Sequence, residues 1–297
     1  MDIRGVGYLV IASPQRKQWQ EYLTGVVGMM TGGGGDGVDW FRMDDRVYRI
    51  AVEDSKIEAY VPGWELASER AFDEAVVAIE ASGTRVERCD RADARLRHVG
   101  GLARLQDPFG NPHELFWGQM VTEDLFHSPQ GMSGFNCGEL GVGHVLYVVP
   151  SSATALSFYR DTLGLAVTDY FTWGGPSSWF LRCNPRHHSV GFVDLDLPGG
   201  PGVNHFMIEA KTLHDVGRSL DRAMDSGCEI VNSLGQHSND KCVSYYMRSP
   251  GRANVEVGTG QLRIDSTTWQ VIAWSGRGDY WGHRGPFMDV IADTKPS

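Results

Sequence analysis

Three residues in the second half of the chain have the side chains and the setting to bind a metal ion. His144 lies in the stretch GVGHVLY, His205 in NHFMIEA and Glu256 in NVEVG. Alternating apolar residues predict a β-strand for each stretch, and a carboxylate among valines on a buried strand is costly unless it is paired or binds a cation. Two imidazoles and one carboxylate form a facial set that suits Fe(II) and leaves coordination positions open, and Mn(II) accepts the same set.

Each of these residues has a commoner interpretation when it is taken alone. A single histidine on a strand is more often a hydrogen-bonded core residue than a metal ligand. A lone buried glutamate more often pairs with Arg or Lys. The case for a metal site therefore depends on the three residues occurring together.

An internal repeat provides a comparison within the chain. The stretch GVGYLVIASP near the start resembles GVGHVLYVVP near the middle, and the first copy has Tyr8 where the second has His144. The positions that align with His205 and Glu256 hold Val61 and Glu114. Since the carboxylate is kept and both imidazoles are lost, we predict that the two halves descend from one metal-binding module and that only the second half binds a metal.

The repeat continues through the elements that must position these side chains. We predict two strand–helix units with extra strands in each half. The first half ends on the turn and strand DPFGNPHELFWG, and the second on SPGRANVEVGTG. Helix caps are expected at Ser13–Pro14, within Pro150–Ser151–Ser152, and at Thr212 with Asp215 three residues later. Gly28 and Gly164 fit the left-handed position that follows a helix.

This organisation predicts an α+β fold with two tandem domains. We place an N-terminal domain without a metal site at 1–120, a linker at 121–138, and a C-terminal catalytic domain with a tail at 139–297. The proposed linker is rich in Gly, Ser and polar residues and lacks periodicity.

Composition narrows the range of functions. The 297 residues carry a formal net charge of −10, which disfavours a nucleic-acid or anionic-membrane partner because both require a basic face. No stretch approaches the roughly 18 apolar residues of a membrane span, and the start of the chain is not typical of a signal peptide. The five cysteines form no CxxC pair, so we expect reduced thiols and a cytoplasmic location.

The chain resembles the type I extradiol ring-cleavage dioxygenases of the vicinal oxygen chelate superfamily, and within them the two-domain 2,3-dihydroxybiphenyl 1,2-dioxygenases. The resemblance is nearly end to end, and the motifs that carry it are GVGHVLY, CNPRHHSVGF, NHFMIE, GQHSNDKCVSYYMRSPGRANVEVGTG and WGHR. It implies paired βαβββ modules in each half, Fe(II) in the C-terminal half, a catechol and O2 as substrates, and a homo-oligomer.

The resemblance also implies roles for individual residues. The iron ligands would be His144, His205 and Glu256. His188 would be an acid–base catalyst, Tyr246 would hydrogen-bond a substrate hydroxyl, and a polar shell would contain His237, Asn239 and Asp240. Candidates for the wall around a second ring are Leu146 and Phe180. From the residues alone, His187–His188 also fits a surface pair, QHSND fits an Asx-type turn and Tyr246 fits a packing residue.

We therefore expect extradiol cleavage of a catechol, with a bicyclic diol such as 2,3-dihydroxybiphenyl as the substrate, in aromatic catabolism. Two other hypotheses stay open at this point. The first is a metal-dependent isomerase or lyase of the glyoxalase type, which usually needs a further carboxylate ligand or a contribution from both halves. The second is a non-catalytic protein of the same fold that binds aromatic compounds.

Overall fold

The protein consists of two mixed β-sheets with helices packed against them. The structure is a computed structural model that describes residues 1–173, 176–195 and 200–286. The first sheet contains eight strands: β1 (Ile3–Ser13), β2 (Met30–Gly35), β3 (Val38–Arg42), β4 (Ile50–Asp54), β5 (Ala59–Leu66), β6 (Val86–Arg88), β7 (Gly101–Gln106) and β8 (Pro112–Trp117). Its helices are α1 (Arg16–Glu21), which continues into a π-helical turn over Tyr22–Val27, α2 (Glu69–Ala81) and α3 (Arg91–Leu96).

The second sheet contains ten strands in the described residues. They are β9 (Val145–Val148), β10 (Ala166–Thr172), β11 (Ser177–Arg182), β12 (Val190–Val193), β13 (Gly202–Glu209), β14 (Ile230–His237), β15 (Val243–Arg248), β16 (Asn254–Thr259), β17 (Ile272–Trp274) and β18 (Asp279–Trp281). The helices are α4 (Ser152–Leu156), which continues into a π-helical turn over Ser157–Thr162, and α5 (Leu213–Asp225); a short 3-10 turn covers Gly138–Leu140.

The strand orders confirm the predicted α+β fold of paired βαβββ modules. The first sheet runs β2-β3-β4-β1-β5-β8-β7-β6, and the core of the second sheet repeats this order as β10-β11-β12-β9-β13-β16-β15-β14. In each sheet two modules meet where their first strands pair antiparallel, β1 with β5 and β9 with β13. The strands β17 and β18 extend the second sheet at its two edges.

Most of the predicted helix ends match the structure. Ser151 and Thr212 are N-caps whose hydroxyls accept hydrogen bonds from the amides of Thr154 and Asp215. Gly28 and Gly164 have φ values of 86° and 75°, as the left-handed position after a helix requires.

The prediction for the first helix was wrong. Its N-cap is Gln15, and α1 begins at Arg16. The hydroxyl of Ser13 instead accepts a hydrogen bond from the amide of Gln15. Ser13 still belongs to β1, so the strand extends further than the Ser-Pro signal indicated.

One continuous hydrophobic core joins elements of both sheets. Trp19 on α1 packs against Phe206 on β13 with ring centroids 6.2 Å apart, and the buried side chains of Met132 and Phe135 belong to the same core. The segment between the sheets is therefore packed against the body of the protein. The boundaries at 120 and 138 stay a prediction. In the part of the chain that the structure describes, no helix is both long enough and apolar enough to cross a bilayer.

Candidate metal centre and substrate cavity

Three neighbouring strands of the second sheet bring the predicted ligands together. His144 lies directly before β9, His205 lies on β13, and Glu256 lies on β16. In the sheet register His205 is opposite Leu146, and Met207 is opposite Glu256. Residues far apart in sequence therefore meet where β9, β13 and β16 run side by side.

Gly143 allows the start of β9 to come close to the backbone of β13. A Cβ atom at Gly143 would lie only 1.9 Å from the carbonyl oxygen of Met207, so any larger residue would push β9 away from β13. The amide of Met207 also donates to the carbonyl oxygen of His144 at 2.8 Å. The GVGH motif thus encodes both a ligand and the close backbone contact that places it.

The three ligand atoms form a compact triangle. His144 Nε2 lies 3.3 Å from His205 Nε2 and 3.2 Å from Glu256 Oε2, and His205 Nε2 lies 3.4 Å from the same Oε2. All three side chains are buried. The Nδ1 atom of His205 lies 2.9 Å from Asn204 Oδ1, which orients the ring with Nε2 toward the other two ligands.

The unsatisfied polar atoms of this cluster fit a bound cation. Within the described residues, neither carboxylate oxygen of Glu256 receives a well-directed hydrogen bond, although the side chain is only 1% exposed. Burial on its own raises the pKa of this carboxyl, but the surrounding imidazoles of His144, His205 and His237 lower the pKa well below its usual range. Burial lowers the pKa of His205, which favours the neutral imidazole that metals bind. These residues can hold a divalent metal ion and leave coordination positions open for other ligands.

His188 lies beside the ligands and lines the adjoining cavity. Its ring centroid lies 3.9 Å from that of His144, with the two planes tilted by 33°, and it meets Phe180 edge-on at 4.9 Å. Burial, followed by the neighbouring His144, lowers the pKa of His188 well below its ordinary value. A neutral imidazole at this position can accept a proton from a group bound in the cavity.

Tyr246 and His237 form a second polar group on the other side of the ligands. The Tyr246 hydroxyl and His237 Nε2 are 2.8 Å apart, and His237 Nδ1 lies 2.9 Å from Asp279 Oδ1. Asp279 Oδ1 also lies 2.7 Å from His283 Nδ1. Burial, followed by the nearby Glu256, raises the pKa of Tyr246, so the phenol keeps its hydrogen. The chain of contacts fixes the direction in which that hydroxyl points.

Asn239 and Asp240 lie in the turn between β14 and β15 and line the same cavity. Asp240 accepts hydrogen bonds from the Cys242 amide at 2.9 Å and from Gln261 Nε2 at 3.1 Å. Both side chains are buried. The structure thus brings together every polar residue that the sequence singled out.

The cavity beyond the ligands has apolar walls. Leu146 and Phe180, the two predicted wall residues, face it together with Phe171, Trp173 and Val193. Phe171 and Trp173 are stacked with centroids 5.7 Å apart. A ligand ring that covers these aromatic and aliphatic side chains removes apolar surface from water, so the cavity favours an aromatic ligand.

Sequence reasoning missed several residues of this region. Asp279 and His283 received no role, although the WGHR motif was a signal that pointed to His283. Phe171 and Trp173 also received none, and their only signal was the aromatic-rich stretch DYFTW. Asp169, which contacts His187 behind the cavity at 3.2 Å, carried no signal in the sequence.

The first sheet has no such cluster at the equivalent place among the described residues. Tyr8, Val61 and Glu114 hold the corresponding positions on β1, β5 and β8. Glu114 is paired with Arg97, whose Nε lies 3.0 Å from its Oε2. An arginine here supplies the positive charge beside the retained carboxylate.

Paired βαβββ modules define the vicinal oxygen chelate fold, and the His-His-Glu cluster in the second sheet fits a metal site. Residues 141–257 match the model of the Glyoxalase/Bleomycin resistance protein/Dioxygenase superfamily, and residues 6–54 match that of the dihydroxybiphenyl dioxygenase BphC D1. The chain is 36% identical over 302 aligned positions to the biphenyl-2,3-diol 1,2-dioxygenase of Paraburkholderia xenovorans, with 99% of this chain and 100% of that protein covered. The protein belongs to the extradiol dioxygenases.

Other similar proteins agree on this family and differ in the substrate they are named for. The 3-methylcatechol 2,3-dioxygenase of Pseudomonas putida is 34% identical, with 96% of this chain and 98% of that protein covered. The crystal structure of BphC, a halotolerant catechol dioxygenase, superposes with a TM-score of 0.90 at 34% identity, covering 98% of this chain and 97% of that one. A Mn(II)-bound glyoxalase from Novosphingobium aromaticivorans, 21% identical, shares the fold.

Proposed function

We propose that this extradiol dioxygenase cleaves a bicyclic catechol such as 2,3-dihydroxybiphenyl beside its hydroxyl pair and inserts both atoms of O2. The observation that carries the proposal is the facial cluster of His144, His205 and Glu256, which opens onto a cavity with aromatic walls. A monocyclic diol would leave part of that apolar wall without a partner.

We assign Fe(II) to the cluster, held by His144, His205 and Glu256. When bound, Fe(II) supplies Lewis acidity and a route for electrons between the catechol and O2. Nitrogen and carboxylate donors in a facial arrangement support this choice, and Mn(II) is the other metal that this donor set accepts. One similar protein, from Rhodococcus jostii, is named an iron-dependent extradiol dioxygenase.

The chain's own side chains would orient the diol and move its protons. Tyr246 donates a hydrogen bond to one substrate hydroxyl, and His237 with Asp279 holds that phenol in place. His188 accepts a proton at its cavity-facing nitrogen and returns it later in the reaction. Asn239 and Asp240 complete the polar rim, while Leu146 and Phe180 hold the second ring. The proposal also includes a cytoplasmic homo-oligomer; the five free cysteines agree with a reducing compartment.

Anaerobic reconstitution with Fe(II), followed by 2,3-dihydroxybiphenyl and air, tests this function. We expect a yellow ring-opened product and uptake of one O2 per diol in the wild type and in Tyr8→Phe. His205→Ala should bind little metal and form no product. Replacing Fe(II) by Mn(II) in the same assay compares the two metals directly.

The comparison of 2,3-dihydroxybiphenyl with 3-methylcatechol tests the substrate class. A higher kcat/KM for the bicyclic diol supports the proposal. A clear preference for 3-methylcatechol would overturn the bicyclic assignment and leave the ring-cleavage chemistry intact. Tight metal binding without any product from either diol would contradict the assigned function and favour an isomerase.

A further inference from the structure

A buried polar chain lies behind His188, on the side away from the cavity. Asp169 on β10 and His187, which precedes β12, are both completely buried. Asp169 Oδ2 lies 3.2 Å from His187 Nε2 and accepts a hydrogen bond from Trp274 Nε1 at 2.7 Å. At the other side of the same ring, His187 Nδ1 lies 3.1 Å from His188 Nδ1. None of the site roles described above requires Asp169, His187 or Trp274.

Donor and acceptor chemistry sets the direction of these hydrogen bonds. The indole of Trp274 can only donate, so Asp169 acts as an acceptor, and His187 Nε2 carries the hydrogen that points at it. A neutral imidazole carries one hydrogen, so a neutral His187 ring has none left for Nδ1. His187 Nδ1 is then an acceptor, and His188 must supply the hydrogen from its own Nδ1.

We propose that Asp169 and His187 are positioning residues that fix His188 in the tautomer with hydrogen on Nδ1. The ring cannot easily turn over, because it is held between His144 and Phe180. The lone pair on His188 Nε2 therefore faces the cavity and is ready to accept a proton. Among the described residues, this nitrogen has no hydrogen-bond partner. The inference rests on the proposed acid–base role of His188.

Gln261 is the other group near His188 Nδ1, and its amide nitrogen, which can only donate, competes with His187 for that atom. Its Nε2 is 3.5 Å from Nδ1, a longer distance than the 3.1 Å to His187. The same amide already donates to Asp240 at 3.1 Å, while Gln261 Oε1 accepts from Arg186 at 2.9 Å. The shorter contact with His187 therefore decides which hydrogen bond His188 makes.

His188 takes up one proton and returns it, so no proton is gained or lost over the reaction. His188 Nε2 takes a proton from a substrate hydroxyl, and the ring becomes an imidazolium with hydrogen on both nitrogens. Its Nδ1 hydrogen stays bonded to His187, and the Asp169 carboxylate stabilises the new charge through that ring. When Nε2 returns the proton to the ring-opening product, the starting tautomer is restored without net transfer.

A pair of nearly isosteric variants at His187 tests the proposal in the Fe(II)-loaded enzyme. The amide oxygen of His187→Asn replaces the Nδ1 acceptor, whereas His187→Leu offers no acceptor. With 2,3-dihydroxybiphenyl, we expect His187→Leu to lower kcat about 100-fold, the lower end of the usual contribution of a general acid or base. KM and iron content should change little, and His187→Asn should recover most of the lost kcat.

His188→Phe separates failure of this inference from failure of the assigned role of His188. If His188→Phe is inactive while His187→Leu keeps the wild-type kcat, the positioning role is wrong and the role of His188 stands. If His188→Phe keeps the wild-type kcat, both are wrong. Equal losses in His187→Leu and His187→Asn would indicate a purely structural role and overturn the inference.

Asp169→Asn is the second variant if His187→Leu does not fold. An amide oxygen in place of Oδ2 can still accept from His187 and Trp274, so the geometry is kept and only the negative charge is lost. We expect kcat to fall about tenfold with unchanged KM and iron content, since charge-assisted hydrogen bonds are roughly twice as strong as neutral ones. Wild-type kcat in Asp169→Asn would overturn the charge-stabilising part of the proposal.

Discussion

The hydroxyl of Tyr8 donates a hydrogen bond of 2.7 Å to Glu114 Oε2 in the first sheet, where the second sheet has His144 beside Glu256. Arg97 binds the same carboxylate and also Glu53, at 2.5 Å. The first sheet thus has a phenol and an arginine where the second sheet has a cluster that fits a cation. Its buried glutamate is therefore paired with groups of the protein itself.

Loss of the Glu114 charge should therefore destabilise the protein without affecting the metal. In Glu114→Gln the partly buried guanidinium of Arg97 keeps only Glu53 as a charged partner, and we expect the free energy of unfolding to fall by about 2 kcal/mol. Tyr8→Phe, which removes one hydrogen bond, should cost about 1 kcal/mol. Urea denaturation measures both changes. Iron content and activity at 25 °C should stay at the wild-type level, and a loss of iron in Glu114→Gln would contradict the separation of the two sites.

Gly143 should be essential for metal binding. In Gly143→Ala the new methyl group would meet the carbonyl oxygen of Met207 at 1.9 Å, so β9 must shift and carry His144 with it. We expect the affinity for Fe(II) to fall at least about tenfold, as when the support of a ligand is lost. Titration with Fe(II) under anaerobic conditions measures this change.

Gly7 provides the matched control for that experiment. It precedes Tyr8 as Gly143 precedes His144, and a Cβ atom there would approach the ring of Phe116 to 2.4 Å. Gly7→Ala should lower stability and leave the affinity for Fe(II) unchanged. Equal metal affinities in Gly143→Ala and the wild type would show that the close backbone contact is not needed to place His144.

The fold, and the three side chains that come together in the second sheet, could be predicted because their signals lie in short stretches of the sequence. His144 and Glu256 stand out by residue type in strands whose alternation is local, and the repeat makes the Tyr8 and His144 positions directly comparable. The contact of Asp169 with His187 and Trp274 could not be predicted, since β10, β12 and β17 meet only in the folded sheet. The start of α1 was misplaced because Ser-Pro is a common helix signal, and here the strand runs up to Ser13 and a turn follows it.

Acid should destabilise the protein through His113, which joins the two sheets. Its Nδ1 accepts a hydrogen bond from Trp64 at 3.1 Å, and its Nε2 lies 3.3 Å from the hydroxyl of Tyr159. Burial lowers the pKa of His113 to about 4. Between about pH 6.5, the ordinary value, and pH 4 the unfolded chain binds a proton that the native protein excludes, so stability falls as the pH is lowered through this window.

The stability lost through His113 is at most about 3 kcal/mol, from 1.36 kcal/mol per pKa unit, and about 2 kcal/mol of it is lost by pH 5. Chemical denaturation at pH 7.5 and pH 5 measures it in the wild type and in His113→Asn. The asparagine oxygen can accept from Trp64 but does not titrate, so the variant should lose less stability on acidification. The same loss in both proteins would rule out His113 as the source.

The aromatic wall should matter more for a second ring than for the catechol ring. In Trp173→Ala the cavity loses a large apolar surface that stacks on Phe171. We expect kcat/KM for 2,3-dihydroxybiphenyl to fall about tenfold, which corresponds to 1.4 kcal/mol of lost contact. For 3-methylcatechol the change should stay below about threefold. Equal losses for both diols in steady-state assays would place the second ring elsewhere.

The three proposed ligands are divided between two modules, since His144 comes from the first module of the second sheet and His205 and Glu256 come from the second. The ion can therefore enter a complete site only after the antiparallel pairing of β9 and β13 has formed. Binding free energy then adds to the stability of that pairing. A cell short of the metal would accumulate chains whose modules separate more readily and which proteases degrade faster, so the supply of metal would also set how much of the protein persists.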